Sequence, residues 1–200
     1  MLKKLLLGAT VATAIMTFGA ARAAVLYQSI PDLTVIPVSN AFCSSCNGNY
    51  QVFDTFTLGA TTPIFRIDFA VQSDYNFPTD ITVGIYTVSG GLPDTNIFQQ
   101  TFAPASYTYT NTDHDTSIVT VVPVGLTLDA GTYDISFYSP DNLGVPGYAN
   151  PGGVLFQSDI GFYADQSSAF ALNSVPEPVS LLLLGTGLVG LGMMHRRKDA

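Results

Sequence analysis

Three hydrophobic patterns follow one another along the 200 residues. A solid apolar run at 5–18 stands behind Lys3 and Lys4, and a second at 179–194 stands ahead of His195, Arg196, Arg197 and Lys198. Between them apolar and polar residues alternate. In "PIFRIDFAV" (63–71) Phe65, Ile67 and Phe69 share one parity, and Arg66 and Asp68 take the other. "DITVGIYTV" (80–88) sets Ile81, Val83 and Ile85 on one face, and "GTYDISFYS" (131–139) sets Tyr133, Ile135 and Phe137 against Asp134 and Ser136. A period of two predicts half-buried antiparallel strands. Further strands are expected at 25–30, 51–58, 97–102, 106–110, 117–128, 154–157 and 169–172. Pro123 should divide the 117–128 run or confine it to an edge. "SGGLPD" (89–94), "DAGT" (129–132), "SPDNLGVPG" (139–147) and "NPGG" (150–153) read as turns. No stretch between the two ends repeats at 3.6, so eight or so short strands predict an all-β chain. The expected architecture is a single β-sandwich, jelly-roll-like, over residues 24–174.

The two solid runs speak of membranes. Residues 1–23 have the parts of a secretory signal peptide: a lysine pair, an apolar segment of 14 residues, and Ala21 and Ala23 placed for cleavage after Ala23. The second run has 16 uncharged residues, about 24 Å as a helix at 1.5 Å per residue. That is short for a hydrocarbon core of roughly 30 Å, but basic residues at its end can snorkel. Arg196, Arg197 and Lys198 are expected to stay cytoplasmic, because cations beside a span resist translocation. The expected topology is a cleaved signal peptide, an exported domain and one short transmembrane helix at 179–194.

Val175, Pro176, Glu177 and Pro178 precede that helix, which contains Gly185, Gly187, Gly190 and Gly192, and the basic cluster closes it. Residues 175–200 thereby resemble a PEP-CTERM sorting signal. The resemblance implies an inner-membrane precursor in a Gram-negative bacterium. It also implies an exosortase-type processing enzyme acting near Pro176, Glu177 and Pro178, and a product at the cell surface or in the exopolysaccharide matrix. The local chemistry is compatible, since two prolines flanking Glu177 oppose helix and favour an extended chain that an enzyme can grip.

Charge narrows the partners of the central domain. Residues 24–174 contain thirteen Asp, no Glu, no Lys and a single Arg, a net charge of −12 with His114 neutral. Nucleic acid is excluded, because phosphate recognition requires cations. Acidic polysaccharide is repelled unless divalent cations intervene; neutral glycans and Ca²⁺ stay open.

Candidate chemistry is sparse. Cys43 and Cys46, in "CSSC" followed by Asn-Gly-Asn, are expected to form a disulfide in an exported domain. Asn111, Asp113 and Asp115 recur at every second residue, a spacing that can wrap a Ca²⁺ ion, although the glycine and glutamate of an EF-hand loop are missing. No other cofactor is expected. His114 is the one imidazole of the domain, no hydrolase motif occurs, and no catalytic residue is assigned. Tyr75, Tyr107, Tyr109, Tyr138, Tyr148 and Tyr163 are candidate stacking surfaces for sugars. The expectation is a non-enzymatic surface or matrix protein. "ITVGIYTVSGGLPDT" (81–95) paired with "LTLDAGTYDISF" (126–137) resembles lectin-like or galactose-binding-like sandwich modules. A carbohydrate-binding module is the first alternative, and a secreted glycan hydrolase is the second.

Overall fold

The alternating segments do form strands. The structure, a computed structural model, describes residues 24–29, 39–44, 51–72, 77–112, 115–141, 143–158 and 160–174, with the backbone alone for 39–44. They belong to one compact unit, Ala24–Val175. It is all-β: apart from a 3-10 turn at Pro104–Ser106, its regular elements are strands. In chain order these are β1 (Val25–Gln28), β2 (Ser39–Ser44), β3 (Val52–Leu58), β4 (Thr62–Gln72), β5 (Ile81–Ser89) and β6 (Leu92–Phe102). There follow β7 (Thr108–Asn111), β8 (Thr116–Val121), β9 (Thr127–Leu128), β10 (Gly131–Tyr138), β11 (Leu143–Gln157), β12 (Gly161–Ser168) and β13 (Phe170–Ser174).

Hydrogen bonding joins them into one open sheet whose main path runs β1-β13-β4-β11-β3-β10-β5-β6. The described strand pairs are antiparallel. The sheet folds over on itself: Phe69 of β4 stacks on Phe137 of β10, centroids 4.1 Å apart, though the two strands are not hydrogen-bonded neighbours. Phe170 of β13 meets Phe56 of β3 edge-on at 6.0 Å. Two facing layers thus share a core that includes Ile67, Phe69, Ile85, Val119, Ile135, Phe137, Leu155 and Phe170. The join is β11, whose first half pairs with β2 and touches β4 at Gly144, while its last residues pair with β3. Its Gly- and Pro-rich "GVPGYANPGG" lets one strand bend from layer to layer.

That strand corrects the turn expectations for 139–147 and 150–153, most of which lie within β11. Glycine and proline here mark a bend and a bulge rather than a chain reversal: β11 has four residues, 150–153, between Ala149 and Val154, where β12 has only Asp165 between Gln166 and Ala164. β2 and β12 also went unpredicted. Of "SGGLPD", only Gly90 and Gly91 form the turn; Ser89 pairs with Leu92, and both glycines have positive φ (61° and 80°), as a two-residue hairpin with two left-handed positions requires. Pro93 is tolerated because β6 is an edge strand. The 117–128 run divides into β8 and β9, one of the two outcomes expected from Pro123. Phe65 is 39% exposed instead of sharing the core face of Ile67 and Phe69, because the β13–β4 register shifts between Ile64 and Arg66.

The Phe69–Phe137 stack spans the layers, so its loss leaves a hole that neither layer can close alone. Phe137→Ala is expected to destabilise the protein by about 3–5 kcal/mol, measured by urea unfolding.

Candidate functional site

The parity of β3 carries the first anomaly. Val52, Asp54, Phe56 and Leu58 point into the interior while Thr55 and Thr57 point away, so a carboxylate takes a core position. Register places it in a row with Leu155 on one side and Ile135 then Ile85 on the other. Asp54 is 2% exposed. The Ser168 hydroxyl donates to its Oδ2 at 3.0 Å, and Ser29 in turn donates to the Ser168 carbonyl at 2.6 Å. Burial pushes the Asp54 carboxyl up to about 8; the Ser168 bonds oppose that rise, and the neighbouring Asp134 adds to it. Asp54 therefore holds a proton at neutral pH.

Asp134 lies opposite Thr55, on the other parity from Asp54. The Thr55 hydroxyl donates to its Oδ1 at 2.6 Å. Burial raises its pKa also, with the Thr55 bond opposing. Tyr27 of β1 donates to the Thr55 carbonyl at 3.3 Å; burial, then the charge of Asp54, pushes its phenol up to about 12.

These groups line a cleft of about 800 Å³. Its walls are the bulge at 150–153, the hairpin turn at Gly90 and Gly91, and the rings of Phe156 and Phe162. The bulge is fixed in place: the Asn150 amide donates to Ser167 Oγ at 2.8 Å, and the Gly152 N–H to Asp165 Oδ1 at 2.9 Å. A Cβ on Gly153 would come within 2.6 Å of Ser167 Oγ, so glycine is what lets the bulge lie flat on β12. Phe156 and Phe162 are cross-strand partners with centroids 4.9 Å apart, and Phe156 also packs near Phe53 at 5.9 Å. Phe162 is 57% exposed. The arrangement combines acceptors, an exposed aromatic face and accessible backbone; its lining includes no imidazole, thiol or cationic side chain.

The residues singled out from sequence lie elsewhere. Asn111 ends β7, and its Oδ1 accepts from Ser117 Oγ at 2.8 Å. Asp115 has a left-handed φ of 52°, and Asp113 lies outside the described residues. Among the described residues, no three His, Cys, Asp or Glu side chains gather as a metal cluster. The Cys43 backbone is opposite Gly144 in the β2–β11 pair, while Cys46 and the proposed disulfide fall outside the described residues. So do the signal peptide, Pro176, Glu177, Pro178, the 179–194 run, Arg196, Arg197 and Lys198. Among the described residues no helix is long and apolar enough to cross a membrane. Of the candidate sugar platforms, Tyr148 and Tyr107 are buried and unavailable for stacking, and Tyr107 donates to the Thr79 carbonyl at 2.8 Å. Tyr109 is exposed and packs edge-on against Phe77. Tyr75 lies outside the described residues. Arg66, the domain's one strong cation, places Nε 3.0 Å from Asp68 Oδ2, a carboxylate that also accepts from Thr120 and Asn173.

Asp54, Asp134 and the Phe156–Phe162 pair were missed as site residues. The signal for Asp54 was present in "VFDTFTL", an acid on the apolar parity of a strand. The cleft itself had none, since it depends on how a bulge and a hairpin turn from distant segments come together.

The described residues thus define an acidic all-β domain with a cleft of mixed polarity. Residues 174–198 match the PEP-CTERM protein-sorting motif, so the chain carries a PEP-CTERM sorting domain at its C-terminal end. The match begins at the last residue of β13 and takes in Pro176, Glu177, Pro178, Arg196, Arg197 and Lys198. The motif implies exosortase-dependent sorting of an exported surface protein whose precursor is membrane-anchored. No curated protein matches the chain.

Proposed function

We propose that this is a non-enzymatic protein of the cell surface or exopolysaccharide matrix of a Gram-negative bacterium. A jelly-roll-like β-sandwich is the part displayed. The observation that carries this reading is the sorting motif at 174–198, adjoining the final strand of the domain. Residues 1–23 act as the signal peptide, 179–194 as a transient transmembrane helix, and an exosortase-type enzyme releases the domain near Pro176, Glu177 and Pro178.

The ends of the domain support such a route. Ala24, the first residue after the expected signal cut, accepts from the Ser174 N–H at 2.9 Å, and its own N–H donates to Ser174 Oγ at 3.2 Å. Both processing points therefore adjoin one edge of the sheet, where β1 pairs with β13, and trimming there leaves the core strands whole. The test is to follow the protein by immunoblot in its host with and without the exosortase. Surface or matrix protein is expected only when the enzyme is present; equal distribution in both hosts would overturn the reading.

Two parts of the reading concern the exported domain's chemistry. Cys43 and Cys46 are oxidised to a local disulfide. Thirteen aspartates against one already paired arginine repel one another, and Ca²⁺ held near Asn111, Asp113 and Asp115 relieves that repulsion. Millimolar Ca²⁺ is expected to raise the melting temperature by a few degrees more than Na⁺ of matched ionic strength. Equal shifts would reduce the effect to screening and remove the cation site.

A further inference from the structure

The cleft between the 150–153 bulge and the Gly90–Gly91 turn serves neither sorting nor the packing of the core. Its volume of about 800 Å³ lies within the roughly 300–1,000 Å³ typical of small-molecule sites. Its chemistry is selective. No cationic side chain lines it, and the aspartate-rich domain around it, with Arg66 as its one strong cation, is acidic, so anionic ligands are repelled. Thr55, whose hydroxyl is held by the buried Asp134, and Asn150 offer oxygen atoms to a ligand rich in hydroxyl donors. The same cleft is lined by Phe162, 57% exposed and packed against the Phe156 ring at 4.9 Å. A ring this exposed contributes little to the core, but it presents a flat apolar face at the cleft. The backbone on both sides is accessible, because a Cβ built on Gly90, Gly91 or Gly152 would meet no other atom within 4 Å.

We propose that this cleft binds a neutral saccharide. The sugar's hydroxyls donate to Thr55 Oγ1 and the Asn150 side-chain oxygen, while its C–H face lies against Phe162. A hydroxyl-rich ligand with one apolar face matches a site lined by both acceptors and an exposed aromatic ring, and its lack of charge suits the surrounding field. The proposal deepens the surface-protein reading and rests on it only for the setting in which the domain meets glycans. Binding is measured on purified protein, so failure here leaves the sorting route untouched.

The experiment is calorimetric titration of the full-length protein, in a detergent without a sugar headgroup, with neutral gluco-, galacto- and manno-oligosaccharides. Oligogalacturonate and spermidine serve as anionic and cationic comparisons. At least one neutral series is expected to bind, with no heat from oligogalacturonate. Phe162→Ala is expected to weaken that binding about tenfold without moving the melting temperature, as loss of one stacking face implies. Tyr109→Ala removes an exposed ring that does not line the cleft and should leave affinity unchanged. The proposal is overturned if no neutral sugar binds, if spermidine alone binds, or if the Phe162 variant binds as well as the parent.

Discussion

Raising the pH from about 4 to about 9 is expected to cost the mature protein roughly 2–5 kcal/mol of stability, and Asp54→Asn is expected to remove most of that slope. The cause is one carboxyl on the apolar parity of β3. In the unfolded chain Asp54 ionises near 3.8; in the folded protein, buried between Leu155 and Ile135, it does so at about 8. Folded protein therefore keeps a proton that unfolded chain has released. The stabilisation is fully present below pH 4 and is lost as pH rises through 8, above which both states are ionised and the full cost of a buried charge is felt. Asp134 acts in the same direction, because burial raises its pKa as well. Tyr27 ionises at about 12 in the folded state, above this window. Urea midpoints measured from pH 4 to 9 for parent and Asp54→Asn give the answer. A flat parent profile, or a variant with the parent's slope, would contradict the burial argument. The direction is opposite to ordinary acid denaturation, in which carboxylates paired in the native state lose stability as they are protonated.

The second large effect belongs to the sorting motif. Replacing Pro176, Glu177 and Pro178 with alanine is expected to abolish release of the domain and to trap the signal-processed precursor in the inner membrane. The apolar run at 179–194 is untouched by these changes, so insertion should survive; what is lost is the pair of prolines flanking Glu177, residues that oppose helix. Removing Arg196, Arg197 and Lys198 has a different signature. It leaves Pro176, Glu177 and Pro178 intact but withdraws the cations expected to resist translocation, and retention or orientation of the precursor should weaken. The two variants thus separate recognition from anchoring, and blots of membrane and surface fractions distinguish them. Similar fractionation of the alanine variant and the parent would mean that the tail is a permanent anchor.

Legibility from sequence followed the range of the interactions involved. Alternation is a local property, so β3, β4, β5 and β10 could be read directly, and an all-β fold with them. The motif around Pro176, Glu177 and Pro178 was legible for the same reason, being contiguous. β11 was not: its glycines and prolines look like turn residues, yet they bend a continuous strand that joins the two layers, a role set by partners in β2, β3, β4 and β12. The join through β11 is also why the chain makes one folded sheet where eight or so strands in a sandwich were expected. Phe65 shows the limit of parity within a strand, since a single register shift against β13 turns it outward. In the cleft, Asp54 and Asp134 lie 80 positions apart along the chain, and periodicity carries no information about which of thirteen aspartates come together.

The central claim is that the C-terminal segment is an address removed in the course of delivery. The most direct measurement is the intact mass of the protein recovered from the surface or matrix of an exosortase-bearing host. The account predicts a species that begins at Ala24 and ends close to Pro176, Glu177 and Pro178, lacking residues 179–200. A surface protein that retains those residues, or a pool found only in the inner membrane with its C-terminus intact, would contradict it.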